Sequence, residues 1–292
     1  MKTIPIIILV VFAWACSSTE YIDWGNEGER IVVSGQWCDK DTTHRLYVSI
    51  VDKTGIRRLD EAQVSVTING ESVPSVFIPY DGRTQPEWRS SCFSFDRVFS
   101  SDDETTIHVR YNDLSASAVI HCPTKPDIVS YDTLHISEQR ILVNLKLRDL
   151  PSVKNYYRMT LYSNDPSDGD GKKLRPTNLD ISLDPALGGG SQGEANTALM
   201  DFTGQPNSFA LFDDTLFQDK EYTLHLAYEP EKRWFPYYLY VYSISYSQFH
   251  YLKALEYTFQ DPYFYEPVSM PSNIEGGIGF ISLDAVEVIK VN

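Results

Sequence analysis

The chain has 292 residues, of which 25 are Lys or Arg and 40 are Asp or Glu, so its formal net charge at neutral pH is −15. A surface this acidic repels nucleic-acid phosphates and anionic lipid headgroups, which excludes the basic footprint that nucleic-acid binding needs. The length is sufficient for two medium-sized domains.

The N-terminal segment has the pattern of a bacterial lipoprotein signal. A lysine at the second position precedes a largely apolar run that ends at Trp14, and Ala15 stands directly before Cys16. The run is shorter than the roughly 20 apolar residues that span a bilayer. We therefore predict a signal peptide at 1–15, lipidation of Cys16 and a polar tether at 16–28. Because Trp14 occupies a position where a small residue is usual, cleavage without lipid and a retained anchor stay open as alternatives.

Three cysteines follow Cys16 in the sequence, namely Cys38, Cys92 and Cys122. An odd number cannot all pair, and small disulfide-stabilised domains use more cysteines than this. We therefore expect the fold to depend on apolar burial. Buried free thiols are the expected state of these residues, and one disulfide is the alternative.

The first half of the chain is a series of short segments with period-two alternation, which is typical of β-strands. Asn69-Gly70, between two of them, has the composition of a type I′ hairpin turn. Strands at this spacing predict a β-sandwich at 29–124. The predicted strands are 30–37, 45–51, 62–68, 72–78, 92–98, 106–111 and 116–122.

Two prolines, Pro123 and Pro126, interrupt this pattern, because proline lacks a backbone donor and fixes φ. We therefore place a domain boundary after residue 124 and predict a second β-sandwich at 125–292. Gly, Asp, Ser, Asn and Pro dominate 163–205, which predicts a long loop. A capping-box pattern at Ser245 predicts a helix over 246–260. The predicted strands of this half are 128–130, 140–147, 155–162, 208–212, 222–228, 237–245 and 285–291.

No motif in the chain predicts a reaction. Ser191 lies in a Gly-Gly-Ser-Gln-Gly segment that matches the nucleophile-elbow pattern, but that elbow needs a parallel sheet with alternating helices, so we expect a flexible loop. The acidic segment 164–171 lacks EF-hand spacing, although a less regular calcium site stays open. The six histidines show no zinc-binding spacing. We therefore expect a protein that is not an enzyme and uses no metal or other cofactor.

The aromatic run 234–242 supplies the candidate contact residues. Strand alternation places Tyr238, Tyr240 and Tyr242 on one face, where they could stack on a sugar or a peptide, although tyrosine also packs well within a sandwich. Trp234 and Phe235 are expected at a loop tip, where two large apolar side chains favour contact with a ligand or partner. Trp234, Phe235, Tyr238 and Tyr240 are therefore the candidate contact residues.

Several segments together resemble one bacterial protein family. The most specific is the motif at 266–280, and shorter segments along the chain fit the same pattern, so the likeness covers nearly the whole mature chain. In these segments the chain resembles the domain-of-unknown-function 4249 family, which comprises outer-membrane lipoproteins of Bacteroidota. The segments are EPVSMPSNIEGGIGF at 266–280, FDDTLF at 212–217, VYSIS at 241–245, IVVSG at 31–35, AQVSV at 62–66 and NYYR at 155–158.

The resemblance implies an immunoglobulin-like first sandwich, a fibronectin type III-like second sandwich and association with a TonB-dependent receptor. It implies no catalytic residue. We expect the 266–280 motif to be structural, with Pro271 and Gly276-Gly277 steering a crossing loop that brings Phe280 into the second core.

The predicted function is that of a lipid-anchored outer-membrane protein, on the periplasmic or the surface-exposed face, which serves as an accessory or ligand-capture subunit of an uptake system. The sequence identifies neither the ligand nor the receptor. A surface adhesion or structural module is the first alternative, and a hydrolase that uses Ser191 or an acidic pair is the second.

Overall fold

The computed structural model describes residues 28–80, 90–137, 139–151, 153–164, 174–188, 199–200, 206–207, 209–260 and 270–291. The signal peptide, Cys16 and Ser191 lie outside these residues, as does most of the acidic segment 164–171. Predictions that concern them are therefore neither confirmed nor contradicted by the fold.

The first half of the described chain is all β. At the predicted hairpin turn, Asn69 and Gly70 have φ angles of 51° and 81°, as a type I′ turn requires. The prediction of one strand over 72–78 is wrong, because Pro74 breaks it and the two pieces join different sheets. The strands are β1 (Arg30–Cys38), β2 (Thr43–Asp52), β3 (Gly55–Arg58), β4 (Gln63–Ile68), β5 (Glu71–Val73), β6 (Val76–Ile78), β7 (Ser91–Asp96), β8 (Glu104–Tyr111) and β9 (Leu114–His121).

The second half adds further strands and the predicted helix. In that helix the Gln248 backbone N–H donates to the Ser245 hydroxyl at 3.1 Å, which is the predicted N-cap. The elements of the second half are β10 (Asp127–Ser137), β11 (Arg140–Arg148), β12 (Tyr156–Asn164), β13 (Leu174–Thr177), β14 (Leu179–Asp180), α1 (Pro185–Gly188), β15 (Leu199–Met200), β16 (Pro206–Asn207), β17 (Ala210–Asp213), β18 (Glu221–Tyr228), β19 (Tyr237–Ile244), α2 (Tyr246–Gln260) and β20 (Ile278–Lys290).

The prediction of a long loop over 163–205 is wrong for its described part. Strands β13, β14 and β15 and the short helix α1 lie within it. Leu179, Ile181 and Leu187 are buried in the core of the second half. These scattered apolar residues anchor the segment, although they follow no regular period.

The strands form two sandwiches that share one large sheet. This sheet has the order β13-β12-β19-β20-β1-β2-β7-β6, with β17 paired to β12 and β3 paired to β2. The small sheet β5-β4-β8-β9 packs against the β1-β2-β7-β6 end of the large sheet, and the small sheet β10-β11-β18-β14 packs against the β13-β12-β19 end. The predicted mainly β fold, with two β-sandwiches and a helix in the C-terminal region, is confirmed.

The last strand, β20, belongs to both sandwiches. Its first seven residues pair in parallel with β1, ending at Cys38 opposite Asp284, and the next six pair antiparallel with β19, beginning at Ser243 opposite Ala285. Alternation along one face of β20 sends Leu283 into the first core and Ile289 into the second. The predicted boundary, which gave all of 125–292 to the second sandwich, therefore needs correction, and the predicted strand 285–291 covers only half of β20.

The 266–280 motif docks β20 onto the first sandwich. Its residue Ile274 enters the first core, and Glu275 exchanges two backbone hydrogen bonds with Ser117, at 2.8 and 2.9 Å. The prediction that Phe280 enters the second core is wrong. Its ring stacks on Tyr251 of α2 with centroids 4.3 Å apart, because alternation turns Phe280 to the outer face of the sheet.

Gly279 is the tightest point of this docking. Its φ is +118°, and a Cβ there would lie 2.0 Å from the Val33 carbonyl oxygen of β1. Any other residue therefore both strains the backbone and separates β20 from β1.

We predict that Gly279→Ala lowers the free energy of unfolding by about 2–4 kcal/mol, since it adds backbone strain and a steric overlap at a buried pairing. Urea unfolding, followed by circular dichroism, measures the change. Gly28→Ala is the matched control, because a Cβ at Gly28 meets nothing within 4 Å. Its expected effect is within about 0.5 kcal/mol. Equal stabilities of the two variants would contradict the docking role of Gly279.

Candidate contact surface

Strand β19 has one face in the second core and one face turned outward. Tyr237, Leu239 and Val241 are buried in the core. Tyr238 and Tyr240 alternate with them and are half-buried on the outer face. The predicted alternation is therefore present, and the role of these two tyrosines in contact with a ligand stays a prediction.

Tyr242 of β19 and Tyr162 of the neighbouring strand β12 extend this pair into a larger aromatic surface. We call this surface the tyrosine face and define it as Tyr162, Tyr238, Tyr240 and Tyr242. Tyr162 of β12 lies opposite Tyr238 in the strand register. The rings of Tyr162 and Tyr240 meet edge to face, with centroids 5.1 Å apart, and those of Tyr240 and Tyr242 lie 6.1 Å apart at 24°. This geometry combines flat rings for stacking with hydroxyl groups for hydrogen bonds.

The hydroxyls of Tyr240 and Tyr242 stay protonated at neutral pH. Burial raises the pKa of Tyr240, and the neighbouring Tyr162 adds to this rise. Burial likewise raises the pKa of Tyr242, with the Arg158 guanidinium opposing the rise. These two hydroxyls can therefore donate as well as accept hydrogen bonds.

The loop before β19 separates its two large aromatic residues. Trp234 is 63% exposed, whereas Phe235 is 1% exposed and belongs to the second core. Their rings meet edge to face at 4.5 Å, and the Lys232 ammonium lies 5.5 Å from the centre of the Trp234 ring. The prediction of Phe235 as a surface contact residue is wrong, because the chain turns it inward to fill the end of the sandwich. Trp234 keeps its candidate role.

A buried ion pair closes the tyrosine face at its border with the first sandwich. Arg158 Nη2 lies 2.9 Å from Asp284 Oδ2, and the two side chains are 14% and 1% exposed. The Arg158 guanidinium also covers the Tyr242 ring, with 4.1 Å between its central carbon and the ring centroid. The pair therefore joins β12 to β20 across β19 and holds Tyr242 in place.

In this ion pair, each charged group favours the ionised form of the other, whereas burial disfavours it. Burial raises the pKa of Asp284, whereas the Arg158 guanidinium and the side chains of Gln248 and Gln36 lower it. For Arg158, burial acts to lower the pKa, whereas Asp284, with smaller contributions from Tyr242, Tyr162 and Cys38, acts to raise it, and the net direction is a rise. The guanidinium therefore stays charged in a place where an unpaired cation would be costly.

On the other face of the sheet, a second polar group ties the domain connection to β20. Lys125 Nζ lies 3.0 Å from Asp39 Oδ2 and 3.7 Å from Glu287 Oε1. Asp39 is itself buried and accepts a hydrogen bond from the Val286 backbone N–H at 3.0 Å. The connection between the sandwiches is therefore fastened to the strand that they share.

Sequence reasoning missed Arg158, Asp284 and Tyr162. Arg158 and Tyr162 stand four residues apart in a predicted strand, so alternation could have placed both on the outer face. The partner of Arg158 could not be found in this way, because Asp284 lies 126 positions further along the chain.

The remaining candidates for chemistry contribute no site within the described residues. No disulfide joins Cys38, Cys92 and Cys122 to one another, as expected. Burial raises the pKa of both Cys38 and Cys122 to about 12, so these thiols are protonated and unreactive. The described ranges contain no cluster of three or more His, Cys, Asp or Glu side chains suited to a metal ion. None of the described helices is long and apolar enough to cross a membrane.

We predict that Phe235→Ala lowers the free energy of unfolding by about 3–5 kcal/mol, because it removes a fully buried aromatic ring. Trp234→Ala is the natural comparison, and its cost should be below about 1 kcal/mol because most of that side chain is exposed. Chemical denaturation of both variants tests the assignment. A Trp234 variant as unstable as the Phe235 variant would refute the separation of their roles.

We predict that Arg158→Met costs about 3–5 kcal/mol at pH 7, because it leaves Asp284 buried without its cation. The folded-state pKa of Asp284 then rises further above the unfolded value of about 3.9. Since a raised folded pKa favours the folded state when the acid is protonated, the stability deficit relative to wild type should shrink as the pH falls from 7 towards 4.

The control for this prediction is the double variant Arg158→Met with Asp284→Asn, in which no charge remains. Its deficit relative to wild type should vary much less with pH than that of the single variant. Urea midpoints at several pH values measure both deficits. A single-variant deficit that is constant across this pH range would show that Asp284 does not depend on Arg158.

The known structures that match this chain do so only weakly. Domains A168–A170 of titin match at 7% identity and a TM-score of 0.19, covering 74% of this chain and 60% of the titin fragment. Bovine butyrophilin matches at 8% identity and a TM-score of 0.20, covering 73% of this chain and 91% of the other. The chain thus spans less than two thirds of the titin fragment, and likenesses at these scores carry no argument about function.

Sequence comparison is more specific. No curated protein matches the chain. A family model described as a domain of unknown function, DUF4249, matches residues 18–288, which include both sandwiches and nearly all of β20. This protein belongs to the DUF4249 family.

Proposed function

We propose that this protein is a non-enzymatic lipoprotein of the outer membrane that serves as an accessory or ligand-capture subunit beside a TonB-dependent receptor. The observation that carries the proposal is the signal sequence that ends at Cys16, on a chain whose remainder belongs to the DUF4249 family. Lipid on Cys16 would hold the protein at a membrane despite the net charge of −15, which opposes adsorption to anionic lipid.

The arrangement of the two sandwiches supports a binding role. Because β20 completes both halves of the large sheet, the sandwiches present their surfaces in a fixed relation. A ligand that binds such a surface does not have to pay for ordering the scaffold. The tyrosine face and Trp234 are the candidate contacts, and the flat rings of the face suit a sugar or a peptide better than an anion.

Exposure of Trp234 favours one alternative, a surface adhesion module. A tryptophan that is 63% exposed on a loop is a suitable anchor for a protein partner. If the protein is an adhesion module, Trp234→Ser abolishes its adhesion to the partner, and no TonB-dependent receptor associates with the wild-type chain. The buried position of Phe235 removes it from this version of the hypothesis.

The experiment that tests the proposed function is a cross-linked pull-down from intact cells with an antibody against the native chain. We expect a TonB-dependent receptor in near-equal amount in the outer-membrane fraction, and incorporation of a palmitate analogue into the chain. Cys16→Ser should lose the label and leave the membrane fraction, whereas the control Cys38→Ser should keep both. A labelled chain recovered from the outer membrane without any receptor would contradict the association, and an unlabelled wild-type chain would contradict the anchor.

A further inference from the structure

The edge of strand β10 is the longest open strand edge in the described part of the chain. β10 runs over eleven residues, Asp127–Ser137, and pairs with β11 on one side only. Nine of these residues are exposed. Its outer side therefore presents a row of backbone N–H and C=O groups that no described strand covers.

Other edges of the described sheets are short or covered. β5 and β6 have three residues each, β14 has two, and β13 has four with a proline among them. β9 is longer, but its Ser117 exchanges two backbone hydrogen bonds with Glu275. These are the usual ways in which proteins prevent an edge from pairing. The exposed length of β10 is thus an exception within this molecule.

The register of β10 leaves a regular stretch in its middle. Shifts between Ile128 and Ser130 and between His135 and Ser137 mark irregular pairing at both ends. Between them, Ser130 to His135 pair without interruption with Lys146 to Ile141. An added strand would therefore find about six residues of straight edge, which is an ordinary strand length.

An open groove lies beside this edge. It has a volume of about 580 Å³ and lies between the first half of β10 and the end of β20, where Glu287 and Ile289 line it. Tyr131 also lines the groove and stands opposite the fully buried Leu145, so it lies on the core side of its sheet although it is 45% exposed. A strand added next to β10 would direct alternate side chains towards this groove.

The apolar residues and charges of β10 define what would fit. Val129, Tyr131, Leu134 and Ile136 are all exposed large apolar side chains. The strand carries two aspartates and neither lysine nor arginine, in a chain whose net charge is −15. Two copies of the chain would therefore bring like charges together at this edge, whereas a neutral or basic segment of another protein would not.

We propose that the β10 edge binds an extended, neutral or basic segment of a partner protein, which adds to the second sandwich as a further strand. Backbone hydrogen bonds to Ser130–His135 would supply affinity, and alternate apolar side chains in the groove would supply specificity. The proposal goes beyond the function proposed above, and it does not depend on the partner being a receptor.

The test uses the mature chain and the fluorescent peptide Lys-Thr-Val-Thr-Val-Thr-Val-Lys, whose binding is measured by anisotropy. The same peptide with alternate backbone amides N-methylated is the comparison, because it keeps the side chains and loses the donors. We expect binding of the first peptide and at least a tenfold weaker binding of the second. Receptor pull-down is a separate assay, so a failure here leaves the proposed function intact.

Tyr131→Lys should weaken peptide binding at least tenfold, because it places a charge at the groove side of the edge. Ile56→Lys is the matched control, because it adds the same charge at a position on the short strand β3 where Ile56 is 46% exposed. Its effect should be less than twofold. Circular dichroism checks that both variants are folded.

Three outcomes would overturn the proposal. The first is equal binding of the two peptides, which would exclude backbone pairing, and the second is no binding of the unmethylated peptide. The third is a wild-type dimer that Tyr131→Lys dissociates, because a second copy would then occupy the edge.

Discussion

The structure depends on one strand that is shared by two cores. β20 pairs with β1 through Asp284 and with β19 from Ala285 onward, so the two halves of the large sheet meet on it. Residues on one face of this strand are buried, those of its first part in the first core and those of its last part in the second core. Each sandwich would lose an interior strand without β20, and apolar burial in each is therefore linked to burial in the other. Two β-sandwiches that could have been independent are by this means expected to behave as one cooperative unit.

The point at which β20 changes partners carries most of the buried charge described above. Asp284, the last residue paired with β1, forms the ion pair with Arg158 on the outer face. On the opposite face, Asp39 and Lys125 bind the backbone and side chains of the next residues. A buried ion pair contributes little net stability compared with apolar residues of the same size, but a broken one is costly. These groups therefore favour one register of β20 over its neighbours.

Alternation predicted most of the fold because most strands here have one buried and one solvated or partly covered face. The helix over 246–260 was predictable from its cap and its stop at Asp261-Pro262. Prediction failed where burial is decided by distant parts of the chain. The entry into β20 contains three glycines within four positions, with Gly276 and Gly277 just before the strand and Gly279 in it, and it resembles a loop, yet these glycines permit close contact with β1 and β9. The predicted strand 128–130 is much shorter than β10, because an exposed strand has no alternation of buried and exposed residues to detect.

The candidate contacts show the same limit. The outward orientation of Tyr238 and Tyr240 follows from local alternation, whereas the inward orientation of Phe235 depends on how the loop closes the sandwich. Pairing of Arg158 with Asp284 depends on the order of strands in the sheet, which no local pattern contains. Function is predictable to a similar extent. The predicted signal that ends at Cys16 indicates a location, and the surfaces supply candidate contacts for a ligand or partner.

Hydrogen exchange of the wild-type chain, followed by mass spectrometry at increasing urea, tests the central role of β20 most directly. The relevant amides are those of β2 in the first sandwich and β11 in the second, neither of which contacts β20 through backbone pairing. If β20 couples the two sandwiches, both strands open with the same free energy, within about 0.5 kcal/mol, in one cooperative event. Opening free energies that differ by more than about 2 kcal/mol would show that the sandwiches unfold independently and would contradict this coupling.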